Sequence, residues 1–361
     1  MSAIRLLAGP RARERIGRDG LRADAVAGVA AAAGGPKGLA FLGLDAWLFG
    51  EWLPRAPRPR LLAGASIGAW RMAAAVHPDG PAATRRLGEA YLERQRYPMK
   101  PSARLVSAVC REIVDATVGD AARFVAGARR DASLAVVTAR GRGAIAERAT
   151  RLAFARPAGA NLLSRRALGA HLQRVVFGLG DVRAHAGVWP DDAFSTRHIG
   201  LDASNAVDAL LASGTIPLIA EPVRDPAGAP TGAYFDGGLV DYHLFLRWQA
   251  LDGLVLYPHF TPWLTPGWLD KALPWRRRGL AGSTHWLADM LLVVPSDGLL
   301  ARLPHGRLPD RSDFHRHGLD HEGRLRDWRR AMAECEAMVE AFAGFVREPD
   351  PARLEPLEGA R

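Results

Sequence analysis

The sequence predicts an α/β protein of three layers, α/β/α, in which helices cover both faces of a mostly parallel central sheet. The first observation is that short apolar runs, which fit buried strands, alternate along the chain with longer segments of helical periodicity. The second is that two of these runs end in glycine-containing turns, each followed by a helical segment. Strands joined through helices pair in parallel, and a parallel sheet needs helices on both faces.

The individual elements follow in order. Residues 1–23 are polar and rich in arginine, so we expect a short lead-in before the core. A core over residues 24–260 begins with a strand at 24–32 and a helix at 38–50, followed by a strand at 60–65 and a helix at 67–76. The remaining predicted helices cover 82–96, 102–117, 120–130, 162–176 and 204–213, and the remaining strands cover 134–139, 196–201 and 251–257.

The region beyond the core is expected to form an extension over residues 261–346. From Gly323 to Phe345, apolar residues recur every three or four positions, which predicts one amphipathic helix that packs on the core. Residues 347–361 are polar and contain proline, so we expect a loose tail.

Composition narrows the function classes. The 361 residues carry a net charge of +10, which favours anionic surfaces such as acidic lipid. No zinc-finger spacing or RNA-binding signature supports a nucleic-acid partner. No run of 18 apolar residues predicts a transmembrane segment. The two cysteines, Cys110 and Cys335, give no disulfide framework, so a cytoplasmic location, peripheral to a membrane at most, is expected.

The most informative motif is G-A-S-I-G at residues 64–68, between the predicted strand at 60–65 and its helix. In that context a G-x-S-x-G pentapeptide forms a sharp turn that lifts the serine hydroxyl above the sheet. Gly64 and Gly68 keep the neighbouring strand and helix backbones from clashing. Ser66 is therefore a candidate nucleophile, although this motif also occurs by chance.

A second turn, G-G-P-K-G at residues 34–38, follows the first predicted strand. Backbone N–H groups of such a turn can bind a phosphate or the oxyanion of an acyl-transfer intermediate. The phosphate alternative is weaker, because neither nucleotide-binding glycine pattern is present and Pro36 lacks an N–H. A structural strand–helix connection without chemistry is the other alternative.

A third motif, Asp236 followed by Gly237 and Gly238, comes after a strand-like apolar run. An aspartate can accept a serine proton directly if the two side chains are in hydrogen-bond contact. A simple Asp-Gly turn is the alternative.

These motifs, taken in this order, resemble the patatin-like phospholipase family. Its signature combines a glycine-rich oxyanion loop with a basic residue, a G-x-S-x-G elbow and a later D-G-[GA]. The segment A-S-G-T-I-P at 212–217 resembles the A-S-x-A-x-P that family members carry between elbow and aspartate. The resemblance covers roughly residues 24–260, with one departure: Ala33 replaces the first glycine of the oxyanion loop.

The resemblance implies a serine acyl hydrolase of phospholipase A type, acting on a phospholipid or another fatty-acyl ester without metal or organic cofactor. It implies a catalytic dyad of Ser66 and Asp236, with an oxyanion hole formed by the N–H groups of Gly34, Gly35 and Ile67. Lys37, at the position of the family's basic residue, would shape the loop or meet a headgroup phosphate. The supporting glycines of the motifs are Gly38, Gly64, Gly68, Gly237 and Gly238.

Several alternatives stay open. His259, the best placed of His243, His259 and His285, could complete a Ser-His-Asp triad in a small-ester esterase, and Asp241 could replace Asp236 as the base. The fold could instead serve a lipid-binding regulator without turnover, or a protein-interaction module. Oligomeric state, lipid identity and positional specificity are not decided by the sequence.

Two residue clusters have competing interpretations. Trp263, Trp268 and Trp275 near Lys271 and Arg276-Arg277-Arg278 fit either a membrane interface or a loop folded over the core. His315, His317, Asp320, His321 and Glu322 match no strong zinc template, so a solvated loop is expected.

Overall fold

The computed structural model describes residues 2–147, 151–273, 275–276 and 284–357. Within these residues, eleven strands form one mixed, mostly parallel sheet, in the order β11-β1-β10-β9-β2-β3-β4-β5-β6, while β8 pairs with β4 and β7 with β8. The strands are β1 Ile4–Ala8, β2 Val26–Ala31, β3 Arg60–Ala65, β4 Ala132–Gly141, β5 Leu172–Leu179, β6 Thr196–Gly200, β7 Val223–Arg224, β8 Ala233–Asp236, β9 Leu254–Pro258, β10 Met290–Pro295 and β11 Leu354–Pro356.

Helices flank this sheet, and the three-layer α/β/α prediction is confirmed. They are α1 Pro10–Asp19, α2 Leu42–Trp47, α3 Ile67–Val76, α4 Gly80–Glu93, α5 Ala103–Val118, α6 Ala121–Gly127, α7 Ala144–Glu147, α8 Arg151–Leu163, α9 Arg165–Leu168, α10 Ala206–Gly214, α11 Asp297–Arg302, α12 Ser312–His317, α13 His321–Cys335 and α14 Ala337–Arg347. A 3₁₀ helix, Gly35–Phe41, leads into α2. The central strands β2 and β3 are buried along their whole length, as expected for a sheet covered on both faces.

Both ends of the described chain contribute strands, which corrects the expected lead-in at 1–23 and the described part, 347–357, of the expected loose tail at 347–361. Residues 358–361 lie outside the described residues. Strand β1 lies between β10 and β11, antiparallel to the first and parallel to the second. One of the arginines that made the N-terminus look polar, Arg5, pairs with Glu355 of the neighbouring strand. Strand β10 lies in the expected extension, so the sheet crosses the boundary placed at residue 260.

The predicted helix at 162–176 is wrong over its second half. Helix α8 ends at Leu163 and α9 at Leu168, and β5 begins at Leu172. The misleading residue is Arg174, which is fully buried and binds the carboxylates of Asp241 and Asp192. A buried, paired arginine interrupts the apolar run that identifies a strand from sequence.

The amphipathic segment at 323–345 forms two helices, α13 and α14, which divide at Glu336 rather than continuing as one. Its apolar face is nevertheless buried in one core with the face of the sheet that α3 covers, through Leu325, Trp328, Cys335, Met338, Phe342 and Phe345. The segment therefore completes one of the two helical layers. Helix α12 directly precedes it and packs on α13, where the ring of Phe314 lies edge-on to that of Trp328.

Candidate active site

Ser66 occupies the turn between β3 and α3 with φ 57° and ψ −133°, a backbone conformation that is rare for a residue with a side chain. The turn is tight because α3 begins against the end of β2. A Cβ on Gly68 would lie 2.0 Å from the carbonyl oxygen of Ala31, and one on Gly64 would lie 2.5 Å from the amide nitrogen of Ala69. Both glycines are therefore required sterically for the strand–turn–helix that presents Ser66.

The Ser66 hydroxyl donates a 2.8 Å hydrogen bond to Oδ2 of Asp236. The sheet explains how the two meet. Ala65, the last residue of β3, lies opposite Val137 of β4, and Asp236 lies opposite the next residue, Thr138. Strand β8 thus pairs with β4 just beyond the point where β3 ends, and its last residue, Asp236, reaches the turn at Ser66.

The Asp236 carboxylate is held on both oxygens, since Oδ1 accepts a 2.7 Å hydrogen bond from the N–H of Gly238. A Cβ on Gly237 would approach the carbonyl oxygen of Val137 to 2.1 Å, so the first glycine of the D-G-G motif is needed for β8 to fit there. Burial raises the pKa of Asp236, while Arg311, the Gly238 N–H and the Ser66 hydroxyl each lower it, and the net shift is upward. A raised pKa makes this carboxylate a stronger base than a solvated one.

Ser213, from the A-S-G-T-I-P segment, holds the backbone of Ser66. Its hydroxyl accepts a 2.9 Å hydrogen bond from the backbone N–H of Ser66 and donates a 2.7 Å bond to the carbonyl of Val137. Two residues later, the carbonyl of Thr215 accepts the N–H of Asp236 at 2.8 Å. This segment therefore forms hydrogen bonds with the backbones of both Ser66 and Asp236, a connection that the motif alone did not reveal.

The predicted oxyanion donors lie around the serine. Gly35 and Ile67 are the first residues of their helices, where an N–H has no intrahelical acceptor, and Gly34 immediately precedes Gly35. Within the described ranges, the N–H groups of these three residues have no acceptor. Gly35 has φ +57°, which a residue with a side chain rarely adopts. Gly38 packs against the side chain of Ile67, where a Cβ would lie only 2.6 Å from Cγ1.

Two cavities meet at this site. The first, of about 290 Å³, is largely apolar and is lined by Ser66 and Ile67 together with Trp70, Tyr91, Val106, Ile113 and Phe314. The second, of about 220 Å³, is lined by Gly34, Asp236, Lys37, Lys271 and Arg311. Arg311 and Ile216 border both, so the dyad lies where the two cavities adjoin.

Arg311 is the residue of the site that sequence reasoning missed. It precedes α12, and its Nε would lie 3.0 Å from a Cβ placed on Gly35. The chain contains 45 arginines, and no local pattern distinguishes this one. Its neighbour Asp310 forms an ion pair with Lys37. Burial opposes ionisation of Asp310, but hydrogen bonds from Lys37 and Ser312 outweigh it and hold the pKa of this carboxyl well below its usual range.

The alternative bases lie elsewhere. Asp241 is bound to the guanidinium of Arg174 by hydrogen bonds of 2.6 and 2.8 Å. His259 is fully buried, and its Nδ1 lies 2.6 Å from the carbonyl of Thr261. Burial lowers the pKa of His259 to about 3, so it is neutral at physiological pH. Among the residues that the structure describes, no histidine forms a hydrogen bond with Ser66 or Asp236.

The histidine cluster and the tryptophan–arginine cluster that the sequence suggested are each divided in the structure. His317 does not gather with His315 or His321. Instead the Nε2 atoms of His317 and His305 lie 3.1 and 2.9 Å from Oδ2 of Asp327, a group of three that could hold a divalent cation away from Ser66 and Asp236.

Of the tryptophan cluster, Trp268 lines the second cavity, whereas 62% of the Trp275 surface is exposed. Arg276 binds the carbonyl of Asn161, and Arg277 and Arg278 lie outside the described residues.

Comparison with models of known protein families gave no match, and comparison with characterised proteins gave no significant match either. In the described part of the chain, none of the helices combines the length and the apolar character needed to cross a membrane.

Proposed function

We propose that this protein is a serine acyl hydrolase of the patatin-like type, which cleaves fatty-acyl esters through a dyad of Ser66 and Asp236. The observation that carries the proposal is the 2.8 Å contact between the Ser66 hydroxyl and a buried carboxylate, made from a strained turn at the wall of a cavity. A strained, buried hydroxyl paired with a carboxylate of raised pKa is costly for folding, and such features concentrate at active sites.

The reaction begins when Asp236 takes the proton from Ser66 and the serine oxygen bonds to the ester carbonyl carbon. The N–H groups of Gly34, Gly35 and Ile67 stabilise the negative charge that develops on the carbonyl oxygen. When the intermediate collapses, the bond to the alcohol breaks and Asp236 returns the proton to the leaving oxygen. Water then attacks the acyl-enzyme with Asp236 again as base, which releases the fatty acid and restores Ser66.

The cavities support a fatty-acyl rather than a small polar substrate. Ser66 and Ile67 line the apolar cavity, which suits the hydrocarbon chain, whereas Asp236 lines the second, where it can protonate the departing alcohol. The acyl and alcohol halves of the ester are thus assigned to opposite sides of the serine. Binding to an anionic membrane surface, and a cytoplasmic location, remain part of this proposal.

The test is labelling with a fluorophosphonate, which reacts with activated serines, followed by hydrolysis of p-nitrophenyl esters of increasing chain length. Wild type should label, Ser66→Ala should not, and Asp236→Asn should label and hydrolyse esters about 10²–10⁴ times more slowly. Ser204→Ala, which removes an exposed hydroxyl, is the matched control. A folded wild-type protein that neither labels nor hydrolyses esters would refute the enzyme and favour a lipid-binding regulator.

The esterase with a histidine triad is separated from the dyad by His259→Gln. Since the ring of His259 hydrogen-bonds at Thr261 rather than at the dyad, we expect this variant to retain labelling and ester hydrolysis within a few-fold of wild type. Loss of labelling in a variant that still unfolds cooperatively would support the triad instead.

A further inference from the structure

Two histidines and one aspartate come together where three elements of the helical layer meet. His305 lies in the 3₁₀ turn Pro304–Gly306, His317 is the last residue of α12, and Asp327 lies in α13. Their ligand atoms all lie within 4.8 Å of one another. Among the described residues that line the two cavities, none belongs to this group. His305 precedes His317 by 12 positions and Asp327 follows it by 10, which matches no usual zinc spacing, so the sequence gave no sign of the group.

The separations within the group are those of ligand atoms around one ion. Nε2 of His305 and Nε2 of His317 lie 2.9 and 3.1 Å from the same atom, Oδ2 of Asp327. Ligand atoms at about 2.0–2.1 Å from a zinc ion lie about 3.3 Å apart in a tetrahedral site. The three side chains therefore need to move little to receive an ion between them.

The buried nitrogen of His317 is a second and independent observation. Its Nε2 is closed off from solvent and, within the described residues, has no hydrogen-bond partner. Although Oδ2 of Asp327 is 3.1 Å away, this contact does not have the geometry of a hydrogen bond. The same oxygen already accepts a hydrogen bond from His305 if that ring carries its proton on Nε2. A buried polar atom without a partner destabilises the fold, and a metal ion at this position would supply the partner.

The donor set indicates which ion fits. Zinc is bound by imidazole nitrogen and by carboxylate oxygen, whereas Mg²⁺ and Ca²⁺ are bound mainly by oxygen. The side chains of His305 and Asp327 are each 31% exposed, and that of His317 is 12% exposed. An ion can therefore enter on the side of His305 and Asp327, and a water molecule can complete the coordination there.

We propose that His305, His317 and Asp327 bind one zinc ion, with water as the fourth ligand, and that this ion fixes α12 against α13. The position of α12 matters for the apolar cavity, because Phe314 and His315 of this helix line it. Through α12 the ion holds one wall of that cavity. The site is separate from the catalytic residues, and the proposal does not depend on the hydrolase function.

The binding test uses the untagged full-length protein after treatment with a chelator. Titration with zinc in a calorimeter should show one ion per chain, and Co²⁺ in its place should give the strong visible absorption of a tetrahedral site. His305→Gln and Asp327→Asn should each weaken binding by about a hundredfold or more, since loss of an outer-shell partner alone costs about 10–100-fold. Absence of saturable binding at one equivalent, or unchanged affinity in both variants, would overturn the proposal.

Two variants serve as matched controls. His321→Gln removes a histidine at the start of α13 that is outside the group, and Arg316→Gln changes an exposed residue of α12 that lines neither cavity. Both should bind zinc as tightly as wild type. A loss of affinity in His321→Gln as large as that in His305→Gln would place the ion at other histidines and refute the assignment.

Amide hydrogen exchange measures the effect on α12. With free zinc at a hundred times its Kd, local opening that breaks the site becomes about a hundredfold rarer, so exchange in residues 304–318 should slow by up to ~100-fold. Exchange should not change in His305→Gln or in β4. Zinc binding that leaves exchange in α12 unaltered would refute the role assigned to the ion. Neither measurement uses ester hydrolysis, so failure of this inference is distinguishable from failure of the hydrolase.

Discussion

The hydroxyl of Ser66 and the carboxylate of Asp236 are in direct contact although 170 residues separate them in the chain. The contact follows from strand register, since β8 enters antiparallel to β4 at the position where β3 stops. No histidine intervenes, so proton transfer in the proposed reaction needs only these two side chains. The proposed reaction therefore depends on the protonation of one buried carboxyl group, that of Asp236.

The first prediction concerns the pH dependence of activity. Asp236 must be ionised to accept the serine proton, and burial raises its pKa. As the pH is lowered, kcat/KM for p-nitrophenyl butyrate should therefore begin to fall at a pH higher than the usual pKa of an aspartate. Arg311 lowers this pKa, so Arg311→Gln should move the acidic limb of the profile to higher pH. Arg316→Gln should leave it in place. A limb that is unchanged or moves to lower pH in Arg311→Gln would contradict the assignment of Asp236 as base.

The second prediction is that Asp236→Asn stabilises the folded protein while it inactivates the enzyme. The asparagine amide can donate to Ser66, and its oxygen can still accept the Gly238 N–H, so both hydrogen bonds are kept. Because the folded-state pKa of Asp236 is raised, wild-type stability is lost as pH rises from the usual aspartate pKa through the folded value. The variant has no such loss, so its free energy of unfolding relative to wild type should increase between these two pKa values and stay constant at higher pH.

Urea unfolding at a series of pH values measures this difference. Asp202 provides a control whose pKa is shifted in the opposite direction, because hydrogen bonds from the hydroxyl and N–H of Ser204 lower the pKa of this exposed carboxyl. Asp202→Asn should therefore be no more stable than wild type at neutral pH. An Asp236→Asn variant less stable than wild type at neutral pH would show that the carboxylate is better accommodated than its burial indicates.

The third prediction is that Ser213 matters for activity through the backbone of the nucleophile. Ser213→Ala removes the acceptor of the Ser66 N–H and the donor to the Val137 carbonyl, which should destabilise the protein by about 1–3 kcal/mol. The strained conformation of Ser66 loses an anchor at the same time, so kcat should fall as well.

Thr215→Val is the matched control for Ser213→Ala. It also removes a buried hydroxyl, but that hydroxyl bonds to the carbonyl of Leu211 in α10, away from Ser66. The two variants should lose comparable stability, measured by thermal unfolding, while only Ser213→Ala loses much of its ester hydrolysis. Equal losses of activity would mean that Ser213 acts through general stability alone.

The sequence predicts those parts of the site that neighbouring residues in the chain determine, and it misses those that tertiary packing determines. The turn at Ser66 is encoded by its own glycines, and β3 and α3 coincide with their predicted bounds at 60–65 and 67–76. Arg311 has no such signal, because its place in the site arises from the packing of α13 and α14, far along the chain. The terminal strands β1 and β11 were missed for a related reason, since the charged pair of Arg5 and Glu355 becomes understandable only when the two strands are adjacent.

The last prediction concerns contact with lipid surfaces. A rim of four exposed apolar residues accompanies the apolar cavity. Met99 and Ile219 line it and are 67% and 48% exposed, while Leu218 and Leu319, adjacent in sequence to the lining residues Ile219 and Gly318, are 46% and 61% exposed. Together with the net charge of +10, this rim suits insertion into an anionic bilayer.

Replacing two leucines of this rim, as in Leu218→Asp/Leu319→Asp, should lower the release of fatty acid from anionic lipid vesicles by about tenfold or more, since burial of one leucine contributes ~1.5–3 kcal/mol. Hydrolysis of p-nitrophenyl butyrate in solution should change little, because neither side chain lines the cavity that contains Ser66. Leu163→Asp, at a position 84% exposed on α8, is the control for adding a charge in place of an exposed leucine. Equal loss of activity on vesicles and on the soluble ester would contradict the prediction. It would mean that the two leucines maintain the shape of the cavity and do not contribute to membrane binding.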